Sequence, residues 1–413
     1  MRIQRRPGLN IICLAVALAT ACATKTPAPR SAPPVAVAPA AAALELVESA
    51  PIETPLGAPD LRDAYEVWPE LIARARRSID LAEFYASDVP GSRLEPALAA
   101  LEQAVRRGVR VRFLADAGFA KTYPETLARL ERAGVALRRL EGRLLGGGVL
   151  HAKYFLVDGE EVYLGSQNFD WRSLTHIQEL GVRVRHPAVA LTLAAVFESD
   201  WALAGGAPPA EAPAPLQIGP VLVGGTAVTP VASPSGHLPD PRLWDLPRLV
   251  ALLDGAQKTV RVQLLTYRVT GRDGERFDEL DQALRRAAAR GVRVQLLVSD
   301  WAKRKASLEA VQALARVPGI EVRFLVVPPW SGGAVPFARV AHAKYLVVDG
   351  ERAWVGTSNW ERDYFFRSRN VGVILESAAL GARLDRFFLA GWSSTLAEPV
   401  DPDRTYSPPR VGE

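Results

Sequence analysis

The chain has two cysteines in 413 residues, Cys13 and Cys22, and both fall in the first 22 positions. The remainder can form no internal disulfide and no thiolate metal site. An exported protein so built must rest on its apolar core. Methionine occurs once, as Met1. Lysine is scarce: seven residues, Lys25, Lys121, Lys153, Lys258, Lys303, Lys305 and Lys344, among 50 basic side chains. Histidine is scarcer, with five. A large excess of one charge is also missing. The net charge is +5, and Arg2, Arg5 and Arg6 carry three of those charges. The near-neutral remainder excludes the broad basic field of a duplex-DNA binder, though not a local basic groove. Long basic runs are absent too. The nearest, Lys303-Arg304-Lys305, reads as a solvated helix start.

One long apolar run is present, Leu9–Leu18, preceded by the three arginines and followed by Ala19-Thr20-Ala21-Cys22. It is too short and wrongly flanked for a stable span, and residues 1–22 read as an export signal. The ending resembles a bacterial lipobox, with Ala19 where leucine is usual. Acylation of Cys22 would make the mature protein an exported lipoprotein of a bacterial cell envelope. Residues 23–58, rich in Ala and Pro, read as a disordered tether, and residues 205–241 as an inter-lobe linker.

Between these stretches the chain repeats itself. Residues 59–204 and 242–398 show the same order of amphipathic helices and apolar strands, and residues 399–413 form a tail. In the first half helices are predicted over 61–77, 94–107 and 124–133, with strands over 79–85, 109–115 and 135–140. In the second half the helices fall over 246–256, 277–290 and 307–315, and the strands over 260–267, 292–299 and 320–327. Arg107-Gly108-Val109-Arg110-Val111 and Arg290-Gly291-Val292-Arg293-Val294 mark the same helix-to-strand junction. The expected fold class is α/β: two duplicated lobes packed as a pseudo-two-fold pair, with the active site between them.

The scarce residues mark where chemistry is expected. His151-Ala-Lys153-Tyr-Phe-Leu-Val-Asp158 recurs as His342-Ala-Lys344-Tyr-Leu-Val-Val-Asp349. Each copy is followed at one distance by a small-residue turn and an asparagine, Gly165-Ser166-Gln167-Asn168 and Gly356-Thr357-Ser358-Asn359. In a strand His151 and Lys153 share a face, as do His342 and Lys344. Asp158 and Asp349 lie on the opposite face and suit a structural or positioning task. Two imidazoles, two ammoniums, two amides and the hydroxyls of Ser166 and Thr357 suit a phosphate diester. One imidazole can attack phosphorus while the other protonates the leaving oxygen and later activates water. Lysines and amides can hold the non-bridging oxygens. No spacing suggests a metal site, and no cofactor is implied. His176, His186 and His237 match no repeat and read as ordinary polar residues. Trp171, Trp360, Tyr364 and Phe365 lie just past the turns and could stack a base, contact a lipid or pack the lobe interface.

The doubled H-x-K-x4-D-x6-G-S/T-x-N pattern resembles the phospholipase D superfamily. Tyr163–Thr175 with Glu179–Val182, and Gly356–Trp360 with Asp363–Phe365, are similar to the branch holding phospholipase D family members three and four, lysosomal 5′-exonucleases of animals. That resemblance covers most of residues 60–395. It implies a bilobal fold and a covalent phosphohistidine, with His151 as nucleophile and His342 as general acid. It further implies that Lys153, Lys344, Asn168 and Asn359 bind phosphate. A carboxylate downstream of the motif often orients the nucleophilic imidazole. Glu179, 28 residues after His151, is expected in that role, and Asn370 is its counterpart in the second half. The expected activity is a phosphodiesterase or transphosphatidylase on phospholipid head groups, by hydrolysis or cardiolipin-synthase-like transfer. The alternative is a 5′-exonuclease of single-stranded nucleic acid. A catalytically inactive binding module is a third reading, disfavoured by two intact motifs. The partners implied are the phosphodiester substrate and a membrane, with no obligatory protein partner.

Overall fold

A computed structural model of the chain describes residues 42–211, 215–271 and 273–412. The proposed signal, Cys22 and residues 23–41 lie outside the described residues. Residues from Ala42 onward form one compact unit.

The unit is built on two mixed sheets. In the first, eight strands run in the order 62–63, 44–49, 179–185, 161–165, 153–157, 78–83, 110–116, 136–140. In the second, nine strands run 221–223, 226–233, 370–376, 352–356, 345–348, 259–264, 293–299, 320–325, 397–399. In each sheet the last three strands of the α/β repeat pair in parallel, as in Ser78–Glu83 with Arg110–Asp116. The middle strand of each trio, Arg110–Asp116 and Arg293–Ser299, is buried on both faces, which requires nearly continuous apolar runs such as Val111, Phe113, Leu114 and Ala115. The helices Ala64–Ala73, Glu95–Arg106 and Pro124–Arg132 fall within the predicted spans, as do Asp245–Asp254, Glu279–Ala289 and Lys305–Ala315 to within two residues.

The motif strands Lys153–Val157 and Tyr345–Val348 lie mid-sheet. Each ends in an aspartate at positive φ, Asp158 at 56° and Asp349 at 57°. Both carboxylates turn back onto backbone. Asp158 accepts from the N–H groups of Arg76, Arg77 and Ser78, and Asp349 from those of Gln257, Lys258 and Thr259. They close the far end of the sheet and do not reach the histidines.

Three expectations about disorder are corrected. Leu44–Ser49, assigned to the tether, is a sheet strand running antiparallel to Glu179–Arg185. Its Leu46 and Val47 are buried, and Glu48 accepts the Ala58 N–H. The assigned linker contains the hairpin Val221–Val223 and Thr226–Ser233, which turns at Gly224-Gly225 with both φ values positive. The assigned tail begins inside the edge strand Ala397–Pro399 and buries Tyr406 against Phe324. Lys303 pairs with Glu398 at 2.9 Å and ties that edge down rather than opening a solvated helix.

The lobes share one apolar core. It takes in Leu156, Leu164 and Val182 from the first sheet and Val347, Val355 and Val373 from the second. Helices Pro187–Ala204 and Ala378–Trp392 supply Leu193, Phe197, Phe387 and Phe388 to it. Two short bridges stitch the lobes beside the motifs. The His151 N–H donates to the Arg369 carbonyl at 2.9 Å, and the His342 N–H to the Gln178 carbonyl at 2.8 Å. Arg369 itself is fully buried against Asp200, at 2.7 Å.

Candidate active site

Those bridges decide what each histidine touches. Because His151 hangs from Arg369, the next residue of that strand, Asn370, lies beside its ring. Because His342 hangs from Gln178, the next residue there is Glu179. The His151 Nδ1 bonds Asn370 Oδ1 at 3.0 Å, and the His342 Nδ1 bonds Glu179 Oε2 at 2.8 Å. The expectation that Glu179 orients His151 is therefore wrong. Each orienting residue crosses to the histidine of the other lobe, since a parallel bridge puts residue i+1 of one strand beside its partner's side chain.

The Asn370 amide has one orientation that fits. Its Nδ2 donates to the carbonyls of Tyr364 at 2.8 Å and Ser368 at 3.2 Å. The Thr357 hydroxyl donates to Oδ1 at 2.9 Å. Oδ1 thus faces His151, whose Nδ1 must carry the proton, leaving Nε2 as a free lone pair. On the other side the Ser173 hydroxyl donates to Glu179 Oε1 at 2.9 Å, and Ser166 bridges the Leu180 backbone. Ser166 and Thr357 therefore support the orienting residues from beneath.

Both lysines are buried, and each ammonium donates to the carbonyl of its own motif histidine at 2.6 Å. Burial, then the charges of Lys153 and Lys344, hold the His151 imidazole well below its usual range. Burial and the same ammoniums do so for His342. Burial lowers Lys344 to about 7, opposed by Glu179. Burial raises Glu179 to about 7, opposed by Lys344. Burial likewise lowers Lys153 strongly. The site's own groups bring more positive than negative charge into a buried space, and an anion between the lysines would oppose these shifts.

A cavity of about 630 Å³ opens onto His151, His342, Asn168 and Asn359. The Oδ1 atoms of both asparagines are buried without a partner. Asn168 keeps only its backbone fixed, its N–H donating to the Ser173 hydroxyl. Such unmatched amides suit a ligand. Among the described residues no three His, Cys, Asp or Glu side chains converge as metal ligands.

Of the four aromatics singled out in the sequence, Tyr364 lines the cavity, its ring 4.8 Å from His151. Trp360 and Phe365 are core. Trp171 packs edge-on to His176. The aromatic wall was missed: Phe84 lies 5.1 Å from the His151 ring and 3.9 Å from Phe119, with Tyr85 and Tyr123 behind. Its signal was Phe84-Tyr85 at the end of a parallel strand, where ligands of α/β sheets gather.

The comparisons agree with this geometry. The family model described as "Cardiolipin synthase, PLD-like domain" matches residues 69–201 and 249–392. The chain belongs to the phospholipase D-like family. It is 32% identical to the 5′-3′ exonuclease PLD4 of Mus musculus, over 87% of this chain and 80% of the relative. It is 30% identical to phospholipase D Z of Dictyostelium discoideum, over 86% and 90%. It is 31% identical to the 5′-3′ exonuclease PLD3 of Homo sapiens, over 86% and 80%. The phosphatidylserine synthase of Haemophilus influenzae Rd KW20 superposes with a TM-score of 0.57 at 12% identity, over 81% of this chain and 85% of that one, which shows a shared fold. The chain is thus a phospholipase D-superfamily phosphodiesterase, an enzyme acting on phosphodiester bonds.

Proposed function

We propose that the chain is a phosphodiesterase working through a phosphohistidine on His151, with 5′-terminal single-stranded nucleic acid as its substrate. His151 Nε2 attacks phosphorus, and the bond to the leaving oxygen breaks as His342 gives that oxygen its proton. Water then attacks phosphorus, surrenders a proton to His342, and the phosphorus–nitrogen bond returns its electrons to His151. Lys153, Lys344, Asn168 and Asn359 neutralise and orient the phosphate oxygens.

The observation carrying the division of labour is the carboxylate on His342. Glu179 favours an imidazolium, which a general acid needs, while the amide of Asn370 fixes the His151 tautomer without favouring its protonation. The nucleotide reading is supported by the aromatic wall, which offers sequence-tolerant stacking, and by the two exonuclease relatives. The exposed large apolar side chains among the described residues are Val89, Leu191, Leu222 and Phe337, and of these only Phe337 lines the cavity. Ile177, Leu265 and Val340 also line the cavity, apolar side chains that an acyl chain could contact as well as a base. The second reading, transfer or hydrolysis of a phospholipid head group, is favoured by the phospholipase D Z relative.

We further place the protein as exported and anchored through an acylated Cys22, on the strength of the apolar run and the cysteine that ends it. The test of substrate is direct. Purified protein is given 5′-labelled single strands, and separately phosphatidylcholine with an alcohol. Release of mononucleotides without phosphatidyl transfer is expected. Phosphatidyl transfer with intact strands would establish the second reading.

A further inference from the structure

The end of the molecule opposite the catalytic cavity carries a cluster of arginines. Arg74, Arg76, Arg77, Arg107 and Arg185 line a groove of about 730 Å³ together with Asp158, Glu160 and Glu161. All five arginines are exposed. Asp158 is committed to backbone N–H groups and Glu161 chiefly to buried Arg183 at 2.5 Å, while Glu160 pairs with Arg77 at 2.9 Å and Arg74 reaches Glu70 at 3.5 Å and Glu161 at 3.6 Å. Among the described residues Arg76 and Arg185 have no ion-pair partner.

The fold does not require these charges. At the matching positions of the second lobe stand Gly255 for Arg74, Gln257 for Arg76, Lys258 for Arg77 and Glu376 for Arg185. Arg107 alone keeps its counterpart, Arg290, and both donate to carbonyls at a helix end. The second lobe keeps Lys258 and Arg290 here but sets Glu376 where Arg185 stands, so the denser arginine cluster belongs to the first lobe, where the N-terminal segment joins. The Ala43 carbonyl accepts the Arg185 N–H at 2.7 Å. On the other side of the same entry, Arg383 and Arg386 line a hollow with Ala42, Ala43 and Leu44.

The strand Glu179–Arg185 has its catalytic end at Glu179 and its basic end at Arg185. Seven residues of strand separate the two by about 20 Å. The 19 residues between Cys22 and Ala42 can span at most about 70 Å. An anchor alone therefore leaves either pole free to face a bilayer.

We infer that the arginine face around Arg74, Arg76 and Arg185 docks on an anionic phospholipid surface. It turns the catalytic cavity away from the membrane and toward substrates in solution. This rests on the anchored reading above and deepens it: the enzyme stands on the bilayer without taking that bilayer's lipids as substrate. Cationic side chains near an anionic leaflet attract it by a few-fold in partition each, and the attraction is screened by salt.

The mature full chain has no cysteine in its body, so single labels can be placed. Ala73→Cys marks the groove and Lys121→Cys the cavity rim. Each labelled protein is reconstituted in vesicles of phosphatidylcholine with about a third phosphatidylglycerol, carrying a lipid-bound energy acceptor. Transfer is expected to be several-fold stronger from position 73 than from 121. The difference should vanish in pure phosphatidylcholine, in high salt, and in the triple variant Arg74→Glu, Arg76→Glu, Arg185→Glu. That variant retains activity on soluble substrate, which checks its folding. Equal transfer from both positions on anionic vesicles, or stronger transfer from 121, overturns the proposal. So does a triple variant that keeps its orientation but loses hold of long single strands, for the groove then tracks nucleic acid. Failure to float with neutral vesicles refutes the anchor alone. Docking is then decided by flotation with anionic vesicles, expected to weaken on the order of 100-fold in the triple variant; no flotation there overturns it.

Discussion

At the scale of the residue, the two imidazoles differ in one neighbour. Glu179 and Asn370 each set an oxygen against a histidine Nδ1, yet one adds a charge and the other does not. Glu179→Gln should keep His342 in place while removing support for its imidazolium. The expected loss in kcat is about 10²–10³-fold on substrates with poor leaving groups and less than about tenfold on a nitrophenyl diester. Steady-state rates on the two substrates check it, and equal losses on both would contradict the assignment. The pH profile follows from the same groups. Glu179, raised to about 7, becomes uncharged in acid, and Lys344, lowered to about 7, becomes uncharged in base. kcat/KM should therefore fall on both sides of neutrality, and the acid limb should move in Glu179→Gln. The sequence made His151, Lys153, Asn168 and their counterparts legible because they recur at fixed spacing. It also exposed Glu179 and Asn370 as a mismatched pair. Which histidine each serves was not legible, because that depends on a bridge between residues more than 160 positions apart.

At the scale of the element, the alternating helices and strands were legible from their periodicity. The strands Leu44–Ser49 and Thr226–Ser233 were not, since short runs among Ala, Pro and Gly look like linker until a neighbouring strand supplies their hydrogen bonds. Leu44–Ser49 also brings a buried carboxylate. Burial lifts Glu48 to about 7, above its ordinary value. A group with a raised folded pKa gives stability that is present below the unfolded value near 4.5 and lost as pH climbs toward 7. Glu48→Gln keeps the acceptor for the Ala58 N–H and removes that slope. Thermal unfolding should show the variant more stable than the parent at pH 8, by about 1–2 kcal/mol, with little difference at pH 5. The Arg369–Asp200 pair is an opposite case. Removing Asp200 leaves a buried guanidinium beside the strand that holds His151, so Asp200→Ala should cost about 3–5 kcal/mol in a denaturant titration.

At the scale of the whole molecule, a duplicated lobe has been turned into an asymmetric machine. Both lobes give a histidine and an asparagine to one cavity, each with a buried lysine bonded to its own histidine's carbonyl, and each supplies the residue that orients the other's histidine. Neither lobe alone could position its own imidazole. All the assigned chemistry resides in these side chains, so activity should survive excess EDTA undiminished; a loss restored only by a divalent ion would refute that assignment. Cys22→Ser should release the protein from the membrane fraction or block its maturation, and unchanged association and size would refute the anchor. The central claim is that His151 carries the phosphoryl group and His342 serves it. The most direct test is mass spectrometry, after quenching in alkaline denaturant that preserves the phosphorus–nitrogen bond, of His342→Ala and His151→Ala mixed with a nitrophenyl phosphodiester. Phosphate should accumulate on His151 in His342→Ala, where water is no longer activated, and none should form in His151→Ala. Phosphate on His342 in the His151→Ala protein, with none on His151 in its counterpart, would contradict the account.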